Sequence, residues 1–141
     1  MIERLHPLAG APALATILAF WLSSAFSELF ASLETVASVK RAILWAMPAL
    51  ILLLMLTGAS GFRLSPIKPK LFRMKIVAAN GLLVLLPSAV FLDRLAASGR
   101  FDALFYSVQG LELAVGGINL ALMALNVRDG LALKGRRYIR P

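Results

Sequence analysis

The stretch from Ala103 to Val127 reads ALFYSVQGLELAVGGINLALMALNV and contains one charged residue, Glu112. Its 25 residues exceed the roughly 20 that an α-helix needs to cross a bilayer. Glu112 follows Asp102 by ten residues, which is about 15 Å along a helix and close to the middle of a membrane. An ionised carboxylate at that depth costs several kcal/mol unless it is paired, neutralised or hydrated. The stretch therefore predicts a membrane-spanning helix whose acid faces protein or water.

Two faces of this helix differ in character when residues are placed about 100° apart. Polar residues face the interior of a membrane bundle, and small residues allow a second helix to approach closely. The polar face contains Gln109, Glu112, Gly116, Asn119, Met123 and Asn126. The small-residue stripe contains Gly110, Ala114, Gly117 and Ala121. Both faces predict protein contact, and the stripe predicts a homo-oligomer or a larger membrane complex.

The whole chain has the composition of an integral membrane protein. Of its 141 residues 60% are hydrophobic, and the mean hydropathy is +0.82, which is too apolar for a soluble globule. Long apolar runs indicate helices and not the alternating strands of a barrel. We predict an all-α fold, a four-helix transmembrane bundle that forms one domain over residues 1–141. The predicted spans are about 7–28, 41–60, 73–93 and 102–127.

The basic residues indicate how the four spans are oriented. The net charge is +8, but the charges lie between the spans, so topology and anionic lipid explain them better than nucleic acid. One side of the membrane would carry Arg4, Arg63, Lys68, Lys70, Arg73, Lys75, Arg128, Lys134, Arg136, Arg137 and Arg140. The other side would carry Lys40, Arg41, Arg94 and Arg100. The positive-inside rule then predicts an up-down-up-down arrangement in the inner (plasma) membrane with both termini cytoplasmic.

Charged and turn-forming residues mark the predicted connections. Leu29 to Ser38 is expected to link the first two spans, with Glu28 and Glu34 forming either a solvated loop face or a lateral entrance for a polar ligand. Pro66 and Pro69 predict a basic, non-helical loop from Gly61 to Lys70. The tail after Gly130 is expected to be a frayed helix or coil.

Prolines and asparagines predict irregularities inside the spans. The first span is expected to open at Pro7, and Pro48 and Pro87 are expected to kink the second and third. Asn80 and Asn119 fall at similar depths in the cytoplasmic half of the membrane, so we predict a contact between them. Such interhelical hydrogen bonds contribute about 0.6 to 2 kcal/mol.

Candidate chemistry is confined to a few side chains. Glu112, with Gln109 three residues earlier, either accepts a proton, binds a cation, or ties helices together as a neutral acid. His6, the single histidine, and Lys75 lie at the same predicted side of the membrane; each is either a ligand-binding residue or an interfacial anchor. No cysteine is present, which excludes disulfides and thiolate metal sites, and no metal-ligand spacing is found.

The order of His6, an Arg41-led span ending in Leu56-Thr57-Gly58, and the segment Leu71 to Lys75 opening an aliphatic span resembles a group of small four-helix membrane proteins. That group contains the HemJ-type protoporphyrinogen oxidases and CopD-like proteins, and the resemblance covers residues 6–95. It implies haem or porphyrin binding, with His6 and Lys75 as cofactor-binding residues.

Three functional hypotheses follow. The first is a haem- or porphyrin-binding membrane protein that uses His6 and Lys75. The second is a non-catalytic helical subunit of a larger inner-membrane complex, which the two contact-seeking faces of the fourth span suggest. The third is a proton- or small-solute-translocating oligomer that uses Glu112, with Pro48 and Pro87 as bending points. The sequence identifies no catalytic residue.

Overall fold

The chain is almost entirely helical in a computed structural model, which describes the backbone of residues 2–64 and 68–138 and the side chains of residues 6–63 and 68–132. Helix α1 spans Ile2–Phe30, α2 spans Leu33–Leu64 and α3 spans Lys68–Asn80. A π-helical segment, Gly81–Leu85, joins α3 directly to α4, Leu86–Ala97. Helix α5 spans Ala103–Tyr138. The described residues contain no strand, so the all-α prediction is confirmed.

Four helical segments are long and apolar enough to cross a membrane: His6–Phe30, Leu33–Arg63, Lys68–Ala97 and Ala103–Ala132. The number of predicted spans is therefore confirmed. Each segment is longer than predicted, because most of the charged residues that marked the predicted span ends, such as Glu28, Arg63 and Asp93, lie on helices and not in loops.

The link between α1 and α2 is much shorter than the predicted connection from Leu29 to Ser38. Only Ala31 and Ser32 lie outside the two helices. Ser32 caps α2, because the backbone N–H of Thr35 donates to Ser32 Oγ at 3.3 Å and the N–H of Val36 donates to the Ser32 carbonyl at 3.0 Å. Glu34 lies in the first turn of α2, where a negative charge is favourable.

Other predicted boundaries also move outward. The predicted non-helical loop from Gly61 to Lys70 is wrong at both ends, since α2 continues to Leu64 and α3 begins at Lys68; residues 65–67 lie outside the described residues. Pro69 falls in the first turn of α3, where a missing N–H costs little. Pro7 is inside α1 and does not open it. The tail stays helical to Tyr138, and residues 139–141 lie outside the description.

The turn between α4 and α5 is closed by local hydrogen bonds. Gly99 has a φ of +68°, a conformation that glycine adopts without strain. Asp102 caps α5 by accepting the backbone N–H of Phe105 at 3.1 Å. The hydrogen bond that Arg100 donates to Asp102, followed by the one from the Phe105 N–H, holds the pKa of the Asp102 carboxyl below its ordinary value. The cap therefore stays ionised at neutral pH.

The third span is irregular, as predicted, and the irregularity is the π-helical segment. Pro87 has no N–H to donate to Leu83 four residues earlier, and its ring would crowd that carbonyl in a regular α-helix. Just before Pro87, the N–H of Leu86 donates to the carbonyl of Gly81, five residues back. The wider turn lets the chain continue as a helix through the proline.

Two apolar clusters hold the helices together. One contains Ala13, Ile17, Leu50, Val77 and Met123 and joins α1, α2, α3 and α5. The other contains Val36, Leu92, Leu95, Ala96 and Phe105 and joins α2, α4 and α5. Along both α2 and α5, a layer of buried polar residues lies between the residues of the two clusters.

Trp21 connects α1 to the glycine pair of α5. Its Nε1 donates to the carbonyl of Leu113 at 2.8 Å. A Cβ atom added at Gly116 would lie 3.0 Å from Trp21 Cδ1, and one at Gly117 would lie 3.7 Å from Nε1. Gly117, which was assigned to the small-residue stripe, is therefore already in contact with α1.

This packing predicts that Gly116→Val destabilises the protein by about 1–3 kcal/mol, because the added methyl groups push Trp21 away from Leu113. Gly58→Val is the matched control: a Cβ at Gly58 meets nothing within 4 Å. Thermal unfolding in detergent should show a lower Tm for Gly116→Val than for Gly58→Val. Equal Tm values would contradict the assigned contact.

Candidate functional site

A buried lysine lies at the centre of the polar layer. Lys40 Nζ donates to Ser24 Oγ at 2.8 Å and to Glu112 Oε2 at 3.1 Å, and it also donates to Gln109 Oε1. Glu28 Oε1 lies 3.8 Å from the same nitrogen. The Lys40 side chain is only 2% exposed. We call Lys40, Ser24, Glu28, Gln109 and Glu112 the Lys40 cluster.

The helices place these residues together by simple periodicity. Ser24 and Glu28 are one turn apart on α1, and Gln109 and Glu112 are one turn apart on α5. Lys40 lies seven residues after Leu33, the first residue of α2, which is about 10 Å into the helix. Large apolar side chains at the adjacent turn, Leu29 and Phe30, are exposed. The cluster therefore lies inside the candidate spans, below a rim suited to lipid.

The hydrogen bonds of the cluster are unevenly distributed. An ammonium group has three N–H donors, and all three of Lys40 are used on Ser24, Gln109 and Glu112. Among the described residues, the buried atoms Glu28 Oε1 and Gln109 Nε2 have no hydrogen-bond partner. Two carboxyl groups thus share one ammonium, and the cluster carries a net charge of −1 when both are ionised.

An apolar cleft of about 540 Å³ adjoins the cluster. Its walls come from α1, α2, α5 and the third span, including the π-helical residues Gly81 and Leu82. Ser24, Glu112 and Asn119 are the polar side chains among its lining residues. Leu82 is well exposed, and Met55 and Phe62, which also line the cleft, are exposed on α2. The cleft therefore opens sideways between α2 and the third span.

The predicted contact between Asn80 and Asn119 is present. Asn80 Nδ2 donates to Asn119 Oδ1 at 3.0 Å, and Asn119 Nδ2 donates to the carbonyl of Val77 at 3.3 Å. Asn119 is almost fully buried and also lines the cleft. The pair connects the third span to α5 just before the π-helical segment begins.

Other polar contacts tie the remaining helices together. Arg41 Nε donates to Asp93 Oδ1 at 2.7 Å, and Asp93 is buried. Asp93 lies at the end of the predicted third span, and its carboxylate pairs with α2. Near the other end of the third span, Arg73 Nε donates to Asn126 Oδ1 at 2.8 Å and the same guanidinium pairs with Asp129.

His6 and Lys75 have different surroundings. His6 Nδ1 lies 3.2 Å from the Thr57 carbonyl and 3.1 Å from Ser60 Oγ. A Cβ added at Gly61 would lie 3.0 Å from His6 Cε1 and 2.5 Å from Met74 Cε, so the ring packs where three helices meet. Lys75 is exposed, and neither residue lines the cleft.

A His6 tautomer whose Nδ1–H donates to the Thr57 carbonyl would leave Nε2 free to bind a metal. The described residues contain no group of three or more metal-ligating His, Cys, Asp or Glu side chains. Haem binding through His6 stays a prediction, and the measurement that decides it is the absorption spectrum of the purified protein beside His6→Ala.

The structure brings together some predicted site residues and adds others. Gln109 and Glu112 meet in the Lys40 cluster, and Asn80 contacts Asn119, which lines the cleft. Lys40 was missed as a site residue because it was assigned to a surface at the end of the second span. The signal for it was the uncharged segment from Thr35 to Val39, which allows the second span to extend upstream and places Lys40 inside it.

The chain was compared with known proteins by sequence and by structure. No family model, no curated protein and no solved structure matches it. The Lys40 cluster and the cleft are therefore the features from which a function is inferred.

The cluster predicts that Lys40→Met destabilises the protein by about 3–5 kcal/mol, because it leaves buried carboxylates without their cation. Combining Lys40→Met with Glu112→Leu should recover part of this loss. Lys75→Met, at an exposed site, is the control and should change stability by less than about 0.5 kcal/mol. Unfolding in denaturant measures all three variants, and a neutral Lys40→Met would contradict the assigned role.

Proposed function

We propose that the chain is a small integral membrane protein that moves protons, coupled to a small solute, through the Lys40 cluster and the adjoining cleft. The observation that carries this proposal is a buried ammonium shared by two carboxyl groups inside candidate membrane spans. Charged groups at such depth are costly, and they are typical of proton relays and ion pathways.

The composition of the cluster suits reversible proton binding. With both carboxyl groups ionised its net charge is −1, and one proton brings the charge to zero. A proton on Glu112 converts an acceptor of a Lys40 hydrogen bond into a potential donor. Lys40 would then lose one of its three acceptors. Protonation would therefore change the contacts between α2 and α5.

The cleft offers a route away from the cluster. Glu112 lies on its wall, and the hydrogen-bonded pair of Asn119 and Asn80 lies on the same side of the molecule as the π-helical segment. Pro48 lies inside α2, next to the cleft-lining residue Met47, and the π-helical segment lies in the wall that the third span forms. These are the places where a helix bends at low cost.

Four spans make a thin wall around any path, so we infer that the working unit is an oligomer. Gly110, Ala114 and Ala121 of the small-residue stripe are exposed, which leaves them accessible to a second copy or to a larger membrane complex. The role of non-catalytic subunit predicted from the sequence stays open beside the translocation proposal.

We further infer an up-down-up-down arrangement in the inner (plasma) membrane with both termini cytoplasmic. The positive-inside rule supports this orientation, because Lys40, one of the four basic residues assigned to the external side, is buried and paired with Glu112. Arg41, Arg94 and Arg100 remain on that side as exposed basic residues.

Single-cysteine variants test this orientation without background, since the natural chain has no cysteine. Ser98→Cys should react with a membrane-impermeant maleimide in intact cells. Gly135→Cys should react only after the membrane is opened. The reverse labelling pattern would contradict the orientation.

Glu112→Gln tests the translocation proposal. In proteoliposomes with an imposed pH gradient and an internal pH dye, the wild-type protein should dissipate the gradient. Glu112→Gln should slow this flux by at least about tenfold, which is about 1.4 kcal/mol, because the amide cannot take up the proton. Glu34→Gln, at an exposed site on α2, is the control and should behave as wild type. Equal flux through Glu112→Gln would remove the proposal.

A further inference from the structure

The cleft exposes one sign of charge to whatever enters it. Glu112 lines the cleft, whereas Lys40, Glu28 and Gln109 do not. The ammonium is enclosed by its own partners, with Nζ saturated by three acceptors. The charged group that a ligand in the cleft contacts is therefore the carboxyl group of Glu112 and not the ammonium group of Lys40. An anionic ligand would be repelled by this carboxylate.

The remaining walls suit a large, weakly hydrated ligand. Phe20, Trp21 and Phe62 contribute aromatic rings, and Met47 and Met55 contribute flexible thioether side chains. Aromatic faces attract cations, most strongly where water is excluded, and methionines adapt to ligands of different shape. The volume of about 540 Å³ falls in the range of small-molecule sites.

The position of the mouth defines how a ligand arrives. Met55, Phe62 and Leu82 are exposed at the edge of the cleft, on helices whose outer surfaces are suited to lipid. A ligand that partitions into the acyl chains can enter from there, whereas a small hydrated ion cannot. The ligand should therefore be hydrophobic as well as positively charged.

We propose that the cleft binds hydrophobic organic cations in exchange for a proton, with Glu112 as the shared site. This inference rests on the proposed function and names the substrate class. The exchange is one for one: the cation enters as the proton leaves, and the Lys40 cluster and its ligand have zero net charge in either state. No covalent bond forms or breaks. Glu28 from α1 and Lys40 from α2 are the charged groups that face Glu112, and the third span contributes no titratable side chain to the lining.

The direct test uses two probes of matched shape and opposite charge, tetraphenylphosphonium and tetraphenylborate. Equilibrium dialysis against the full-length protein in detergent should show binding of the phosphonium. If a proton competes for the same site, its Kd should fall by up to about tenfold per unit of rising pH. Glu112→Gln should weaken binding by at least about tenfold. Tetraphenylborate bound as tightly, or phosphonium binding unchanged by Glu112→Gln, would overturn the inference.

A second variant tests the cleft without touching a charge. Gly58 lines the cleft, and a Cβ added there meets no atom within 4 Å, so Gly58→Leu should occupy cleft volume without an initial clash. Ala49→Leu, at an exposed position of the same helix outside the lining residues, is the control. Gly58→Leu should lose phosphonium binding, and Ala49→Leu should retain it. Binding that survives in Gly58→Leu would place the cation elsewhere.

Proton release separates this inference from the function on which it rests. In weakly buffered solution, adding tetraphenylphosphonium should release close to one proton per bound cation. If Glu112→Gln abolishes proton flux but the wild-type protein binds no phosphonium, the substrate class is wrong and proton translocation stands. If phosphonium binds without releasing protons, the exchange is wrong.

Discussion

The ammonium group of Lys40 imposes the strongest physical constraint on this structure. A charged side chain inside a membrane span has no water to bind, so it requires acceptors from its own protein. Lys40 finds them on α1 and α5, which fixes the register of three helices at one layer. An apolar layer of similar volume would have avoided the desolvation cost. The proposed chemical role accounts for a costly charged layer between two apolar clusters and beside a cleft.

Polar side chains also join other pairs of helices. Arg41 and Asp93 join α2 to α4, Arg73 with Asn126 and Asp129 joins α3 to α5, and Asn80 with Asn119 joins the same two spans nearer the π-helical segment. In lipid the hydrophobic effect contributes little to helix association, so polar contacts and close packing determine how the helices are arranged. Between α1 and α5, the close packing is that of Trp21 against Gly116.

Hydropathy was sufficient to predict the four spans, and the isolation of Glu112 within apolar sequence was sufficient to predict an inward-facing acid. Depth alone predicted the contact between Asn80 and Asn119. Lys40 could not be assigned in this way, because a charge near a span end looks the same whether it reaches water or pairs with α5. The short link at Ser32 was missed for a related reason: Glu28, Glu34 and Lys40 suggested a polar loop, whereas two of these side chains point into the bundle. Pro87 predicted an irregular third span, but a proline does not specify whether the helix kinks or widens into a π turn.

Charged groups beside the cleft come from α1, α2 and α5, and the third span contributes none. Helices α1, α2 and α5 are held together by Lys40, so a proton or cation at Glu112 acts directly on their shared hydrogen bonds. The third span contributes no titratable group to the cleft, yet it forms one wall and contains the π-helical segment beside the mouth. Its contacts near the cleft are neutral, through Asn80 and Val77. A change in the Lys40 cluster would therefore act on the third span through the shape of the cleft. It would not act through an electrostatic interaction with a titratable group of that span. In the proposed exchange, α1, α2 and α5 act as the sensing unit and the third span as the element that opens or closes the lateral mouth.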